Sequence, residues 1–249
     1  MIVNTVKQRM LEGQPALGAG VGLGAPTSAA LLAQAGFDFI LVDYQHGEWD
    51  DAAALAAFRA ISLQHSIPMA RVRQNDFYTI GRVLDRGALG IIVPMVNSVA
   101  DAQAAARAVR YPPQGGRSFG GSLAIHYGGD FDTWINGQIF LAVQIESAQA
   151  AAHADEILAV EGVDGCWIGP NDLARSLGVA QNTPAHTEAI LGVIEACRRT
   201  NKIPGISAAD AADAQRWISH GCLFVTAGGD AAMVASAGRE TLRYLGRDA

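Results

Sequence analysis

The residues equipped for chemistry share one kind of position in this chain. Each closes or follows a short apolar run: Asp43-Tyr44-Gln45-His46 after FILV, Arg71 within PMARV, Gln144-Ile145-Glu146 after LAV, Gly169-Pro170-Asn171-Asp172 after CWI, and Ser207 after PGI. Glu146 and Asp172 form a carboxylate pair with no lysine nearby. Hard oxygen ligands of this kind suit Mg²⁺, Mn²⁺ or a similar divalent ion that keeps positions open for water and substrate. Taken singly, each carboxylate also suits a helix cap. His46 lies three residues after Asp43, so the carboxylate can orient an imidazole that titrates near neutral pH, a general-base arrangement. A histidine packed at a strand end is the plainer alternative. Arg71 in an apolar strand is costly unless it meets an anion, and its planar fork suits a carboxylate or enolate oxygen. Arg73, two residues on, is expected to reach the rim. His65, His153, His186 and His220 read as surface or packing residues, while His126 falls in a long loop within reach of a substrate.

The elements that must position these groups alternate eight times. Apolar runs at Leu17–Gly20, Phe39–Val42, Pro68–Val72, Ile91–Met95, Leu141–Ile145, Gly165–Ile168, Pro204–Ser207 and Phe224–Ala227 predict strands. Between and after them, alanine-rich segments with helical spacing predict helices at Ser28–Ala35, Asp51–His65, Phe77–Arg86, Val99–Val109, Ala148–Ala159, Thr187–Thr200, Ala209–Ser219 and Ala231–Leu245, with an extra one opening the chain at Val3–Leu11. Continuous apolar runs such as FILV suit strands buried on both faces, as parallel sheets require. Eight such units predict an α/β fold, a TIM (β/α)8 barrel with an extra N-terminal helix, occupying residues 1–249 as one domain. A doubly wound open sheet is the alternative. In a barrel the active site forms at the C-terminal ends of the strands, where the residues above all fall. Tyr111–Gln138, rich in Gly and Pro, is expected to be a long irregular connection, of the kind that often serves function.

Composition and missing motifs narrow the chemistry. The chain has 249 residues, 50% of them hydrophobic, and a formal net charge of −6. Net acidity disfavours nucleic acid and anionic membrane as partners. No stretch approaches the roughly 18 consecutive apolar residues of a membrane span. Three cysteines with no CxxC pair fit a reducing compartment, and the opening MIVNTVKQRMLEG carries no signal-like apolar core, so a cytoplasmic location is expected. Leu23 stands where the glycine series from Gly18 would need a glycine to make a dinucleotide fingerprint. The 18 basic residues are 16 arginines and two lysines. Lys202 precedes the seventh strand and Lys7 lies in the opening helix, away from the barrel mouth, which disfavours imine catalysis.

At the level of whole segments the chain resembles the HpcH/HpaI family of metal-dependent, class II 2-oxo acid aldolases, within the phosphoenolpyruvate/pyruvate barrel superfamily. The resemblance rests on AGFDFILVDYQHG, RVRQNDFYTIGRVLDRGALGIIVPMV, RYPPQGGRS, VQIES, VEGVDGCWIGPNDLA and GCLFVTAGGD. It implies reversible cleavage of a 4-hydroxy-2-oxo acid to pyruvate or hydroxypyruvate plus an aldehyde, through an enolate stabilised by Mg²⁺, Mn²⁺ or Co²⁺. By position it makes Glu146 and Asp172 the metal ligands and Arg71 the residue facing the oxo group. Asp43 and His46 become the pair acting through a water. Gln144 lines the floor, amides around Asn171 and Asp172 hold the substrate carboxylate, and Ser207 stands on the pocket wall. The resemblance also implies a homo-oligomer, a hexamer built as a trimer of dimers. Gln45 replaces a glutamate common in the family, so no role passes to that carboxylate. Gly20 and Ser207 stand where members acting on long acids carry Trp and Leu, leaving the aldehyde and its stereochemistry open. A decarboxylase or acyl-CoA lyase using the same chemistry is the enzymatic alternative, and a non-catalytic sensor the alternative of another class.

Overall fold

A computed structural model describes residues 3–120 and 130–247. Eight strands close into a parallel barrel in sequence order. They are β1 Ala16–Val21, β2 Phe39–Asp43, β3 Ile67–Arg71, β4 Gly90–Val93, β5 Phe140–Ile145, β6 Gly165–Ile168, β7 Gly205–Ala208 and β8 Phe224–Gly229. The expected α/β barrel is therefore present, and the extra helix Thr5–Leu11 docks at its N-terminal end. There Asn4 donates to the carbonyls of Leu89 and Gln138, and Val6 and Met10 are buried.

The barrel floor shows why the runs pair in this register. Phe39, Phe140 and Phe224 meet across the interior, with ring centroids 4.7 and 5.0 Å apart. Rings of that size fit only where neighbours are small, and the ladder supplies them: Gly18 beside Phe39, Gly90 between Met69 and Phe140, Gly205 beside Phe224. A methyl at Gly18 would overlap the Phe39 ring. Large and small residues alternating between strands is how a small barrel fills without a pore.

Successive side chains on one strand face point the same way every two residues. Climbing from the phenylalanine layer, Phe39–Leu41–Asp43, Met69–Arg71, Phe140–Ala142–Gln144 and Gly205–Ser207 each pass from apolar plug to polar group. Ladder pairs set Asp43 against Arg71 and Gln144 against Trp167. The same closure that buries the phenylalanines thus gathers the polar groups at the other end.

Several expectations about elements change. The Tyr111–Gln138 connection contains a helix, Phe131–Gln138, and residues 121–129, with His126, lie outside the described residues. The expected Ala148–Ala159 helix is two, Ala148–Ala152 and Ala154–Leu158, because His153 leaves the helical region at φ −112°, ψ 23°. The segment after β6 is a helix, Pro170–Leu177, with a proline in its first turn and Gly178 left-handed at its end. Those are the residues helices prefer at those positions. Among the described residues no helix is long and apolar enough to cross a membrane.

Candidate active site

Asp43 ends β2 and Arg71 ends β3, and their register makes them neighbours. The pair is bidentate, Nε to Oδ1 at 2.9 Å and Nη2 to Oδ2 at 2.5 Å. Two parallel bonds fix the guanidinium plane. The Asp43 carboxylate also accepts the backbone N–H groups of Gln45 at 3.0 Å and His46 at 3.4 Å. The Asp43 oxygens thus hold both Arg71 and the turn that carries His46. His46 is exposed on the rim. Arg73 points outward and donates to the Trp49 carbonyl.

Gln144 and Glu146 are 1% and 3% exposed. Glu146 accepts the Met95 N–H at 2.9 Å through Oε1 and the Gln144 amide through Oε2. Burial pushes its carboxyl above the usual range, and the nearby Asp172 charge adds to that push. The Met95 bond, the Arg71 charge and the Gln144 bond oppose it. Neither carboxylate caps a helix; Ser147 caps the helix after β5. Asp172 lies in the first turn of Pro170–Leu177, half exposed, 3.4 Å from Arg175. No side chain caps that helix, so its first N–H groups stay available to a carboxylate.

His46, Arg71, Gln144, Asn171, Asp172 and Ser207 line one cavity of about 280 Å³. Asp43 and Glu146 touch it through the residues they bond. Trp167 also lines it, a residue the sequence did not single out. Its ring lies 5.3 Å from the Arg71 guanidinium carbon, a cation–π contact. Its alternate position to Gly165 on β6 was the available signal.

The donors suit a divalent cation. A methyl at Gly169 would sit 2.9 Å from the Glu146 Cβ and 3.0 Å from both the Gln144 amide and a Glu146 oxygen, so only glycine leaves room above these groups. Gln144 Oε1 is buried without a partner among the described residues. Among those residues no three His, Cys, Asp or Glu side chains converge as a metal cluster. Two carboxylates beside an unpartnered amide oxygen are the hard oxygen donors that suit an ion completing its shell with water and substrate. The lysines are elsewhere: Lys7 pairs with Asp164 at 3.0 Å and Lys202 donates to the Val163 carbonyl, both at the opposite end of the barrel. His186, read as an ordinary surface or packing residue, is 2% exposed and hydrogen-bonded on both ring nitrogens.

The chain is similar to named relatives and to solved structures over nearly its whole length. A hydroxypyruvate/pyruvate aldolase of Pseudomonas aeruginosa is 39% identical, over 96% of this chain and 91% of that protein. A 4-hydroxy-2-oxo-heptane-1,7-dioate aldolase of Escherichia coli is 38% identical, over 99% and 96%. The crystal structure of an HpcH/HpaI aldolase/citrate lyase family protein from Burkholderia cenocepacia superposes with a TM-score of 0.93 at 31% identity, covering 98% of this chain and all of that one. Residues 21–237 match the model of one family. The chain belongs to the HpcH/HpaI aldolase/citrate lyase family.

Proposed function

We propose that this protein is a class II aldolase that reversibly cleaves a 4-hydroxy-2-oxo acid to pyruvate or hydroxypyruvate and an aldehyde. The observation that carries the reading is an acid pair at one cavity, buried Glu146 and half-exposed Asp172, beside an Arg71 held rigid by Asp43. Support comes also from relatives of nearly full length whose names are aldolases.

Glu146 and Asp172 would hold Mg²⁺, Mn²⁺ or Co²⁺, which supplies Lewis acidity toward the donor's oxo oxygen. Arg71 keeps a fixed positive charge aimed at that oxygen, where negative charge develops as the carbon–carbon bond breaks. Its guanidinium needs no reorientation because Asp43 and the Trp167 face already hold it. The free N–H groups around Asn171 and Asp172 take the donor carboxylate. Gln144 closes the floor and Ser207 the wall. His46, at the rim, moves the proton of the C4 hydroxyl through a water, help usually worth about 10²–10⁴-fold. The aldehyde leaves toward solvent past the rim.

The protein is read as a homo-oligomer, by resemblance a hexamer. The helix Asp230–Tyr244 supports this, since Asp230 is its buried residue while Val234, Leu242 and Tyr244 are exposed. Its cytoplasmic location remains the expectation from sequence.

Incubation with a 4-hydroxy-2-oxo acid and Mg²⁺ or Mn²⁺ is expected to release pyruvate or hydroxypyruvate, and exhaustive chelation to stop it. Release from oxaloacetate alone would replace this reading with a decarboxylase. Borohydride trapping of a covalent donor adduct would refute it.

A further inference from the structure

The turn that carries Asn171 and Asp172 is tied down on two sides. On the barrel side, the Gly169 N–H donates to the Ile145 carbonyl at 3.1 Å. On the outer side stands His186, in the first turn of the helix Pro184–Arg199, whose Nε2 lies 2.9 Å from the Pro170 carbonyl oxygen. Its Nδ1 lies 3.1 Å from the Asn182 backbone nitrogen. A backbone N–H can only donate, so Nδ1 accepts. The ring proton then sits on Nε2 and is given to Pro170. Asn182 itself is held in the left-handed region at φ 61°, with its side chain taken by Arg216. The loop after the Asp172 helix therefore folds back on a single imidazole that clamps the start of that helix.

His186 does not line the donor cavity. It lines a neighbouring cavity of about 450 Å³ that shares Pro170, Asn171 and Ser207 with it. We propose that His186 is a positioning residue, acting through the Pro170 carbonyl to aim the Asn171–Asp172 turn at the donor carboxylate and the divalent ion. The inference rests on the aldolase reading for its ligands. Partners that orient a ligand-bearing segment typically matter about 10–100-fold in metal affinity or activity.

Two substitutions separate positioning from packing. In His186→Gln the side-chain amide keeps an N–H near the Nε2 position. In His186→Asn the shorter amide keeps an acceptor for Asn182 and loses reach to Pro170. Calorimetric titration of the purified full chain with Mn²⁺, then with pyruvate in saturating Mn²⁺, is the measurement. His186→Asn is expected to weaken both by about ten-fold or more, and His186→Gln to stay close to the unsubstituted protein. Equal weakening in both variants, or unchanged binding in His186→Asn, would overturn the proposal. The unsubstituted protein gives a second readout should a variant not fold: the His186 ¹⁵Nε2 resonance is expected to show a protonated Nε2 and to shift on saturation with Mg²⁺ and pyruvate. A proton on Nδ1, or an unmoved signal, overturns it. Intact Mn²⁺ binding with no turnover of any 4-hydroxy-2-oxo acid would refute the aldolase reading alone and leave the comparison of the two variants informative.

Discussion

The two ends of this barrel treat charge in opposite ways. At the N-terminal end, Asp164 pairs with Lys7 at 3.0 Å and Arg110 at 2.9 Å and also accepts the Leu141 N–H. Lys7 and Lys202 also donate to the carbonyls of Ile139 and Val163. At the C-terminal end, two acids share a field in which Glu146 is pushed up by burial, and the Gln144 Oε1 and Trp167 Nε1 are buried without partners among the described residues. At the first end the Asp164 cluster offsets its own charges and braces the barrel. The other is left electrostatically incomplete, which costs folding free energy and readies the site for a cation and an anionic substrate.

The comparison is sharpened most at Glu146. Glu146→Gln removes a carboxylate that is unfavourable to bury, so the metal-free protein is expected to melt no lower than the parent, while turnover falls by about 10³-fold or more. The sign follows from the raised carboxyl: the ionised form is the costly one in the folded state, and its cost grows as pH rises above the unfolded value. A lower melting temperature in metal-free buffer would break the contrast. Arg71→Lys is next, expected to cost about 10²–10³-fold in kcat, because a point charge replaces a fork held by Asp43. Steady-state assay with Mn²⁺ held saturating checks it.

Asp164→Ala tests the opposite end. Stranding the partly buried Lys7 and Arg110 is expected to cost about 3 kcal/mol of stability, read by denaturant melts, with kcat at low temperature unchanged. A large loss of kcat in the folded variant would mean the ends are not separable. The smallest effect is reserved for Lys7→Met with Lys202→Met. Pyruvate release is expected to persist in the double variant, and its loss in folded protein would reopen imine chemistry.

Much of this was legible locally. Strands such as FILV announce themselves because both faces are buried, and the polar groups that end them had to lie at one rim once the barrel was inferred. The Pro170 helix, absent from the expected helices, carries local signals too, with proline at its start and Gly178 at its end. His153 ending a helix was not legible in an alanine-rich stretch. The Asp43–Arg71 bond joins residues 28 apart, and only the parallel register of β2 and β3 makes it. The close spacing of Asp43 and His46 pointed to a local partner, whereas the bidentate bond to Arg71 comes from a neighbouring strand and gains two charge-assisted contacts.

What the sequence determined by itself was the alternation of elements, the barrel, and which side chains end the strands, since periodicity and residue type are properties of short segments. Only the tertiary structure decided who pairs with whom: Arg71 with Asp43, Trp167 against Arg71, His186 beneath the Asp172 turn. Those contacts depend on strand register and on burial, and both are set when distant segments close on one core.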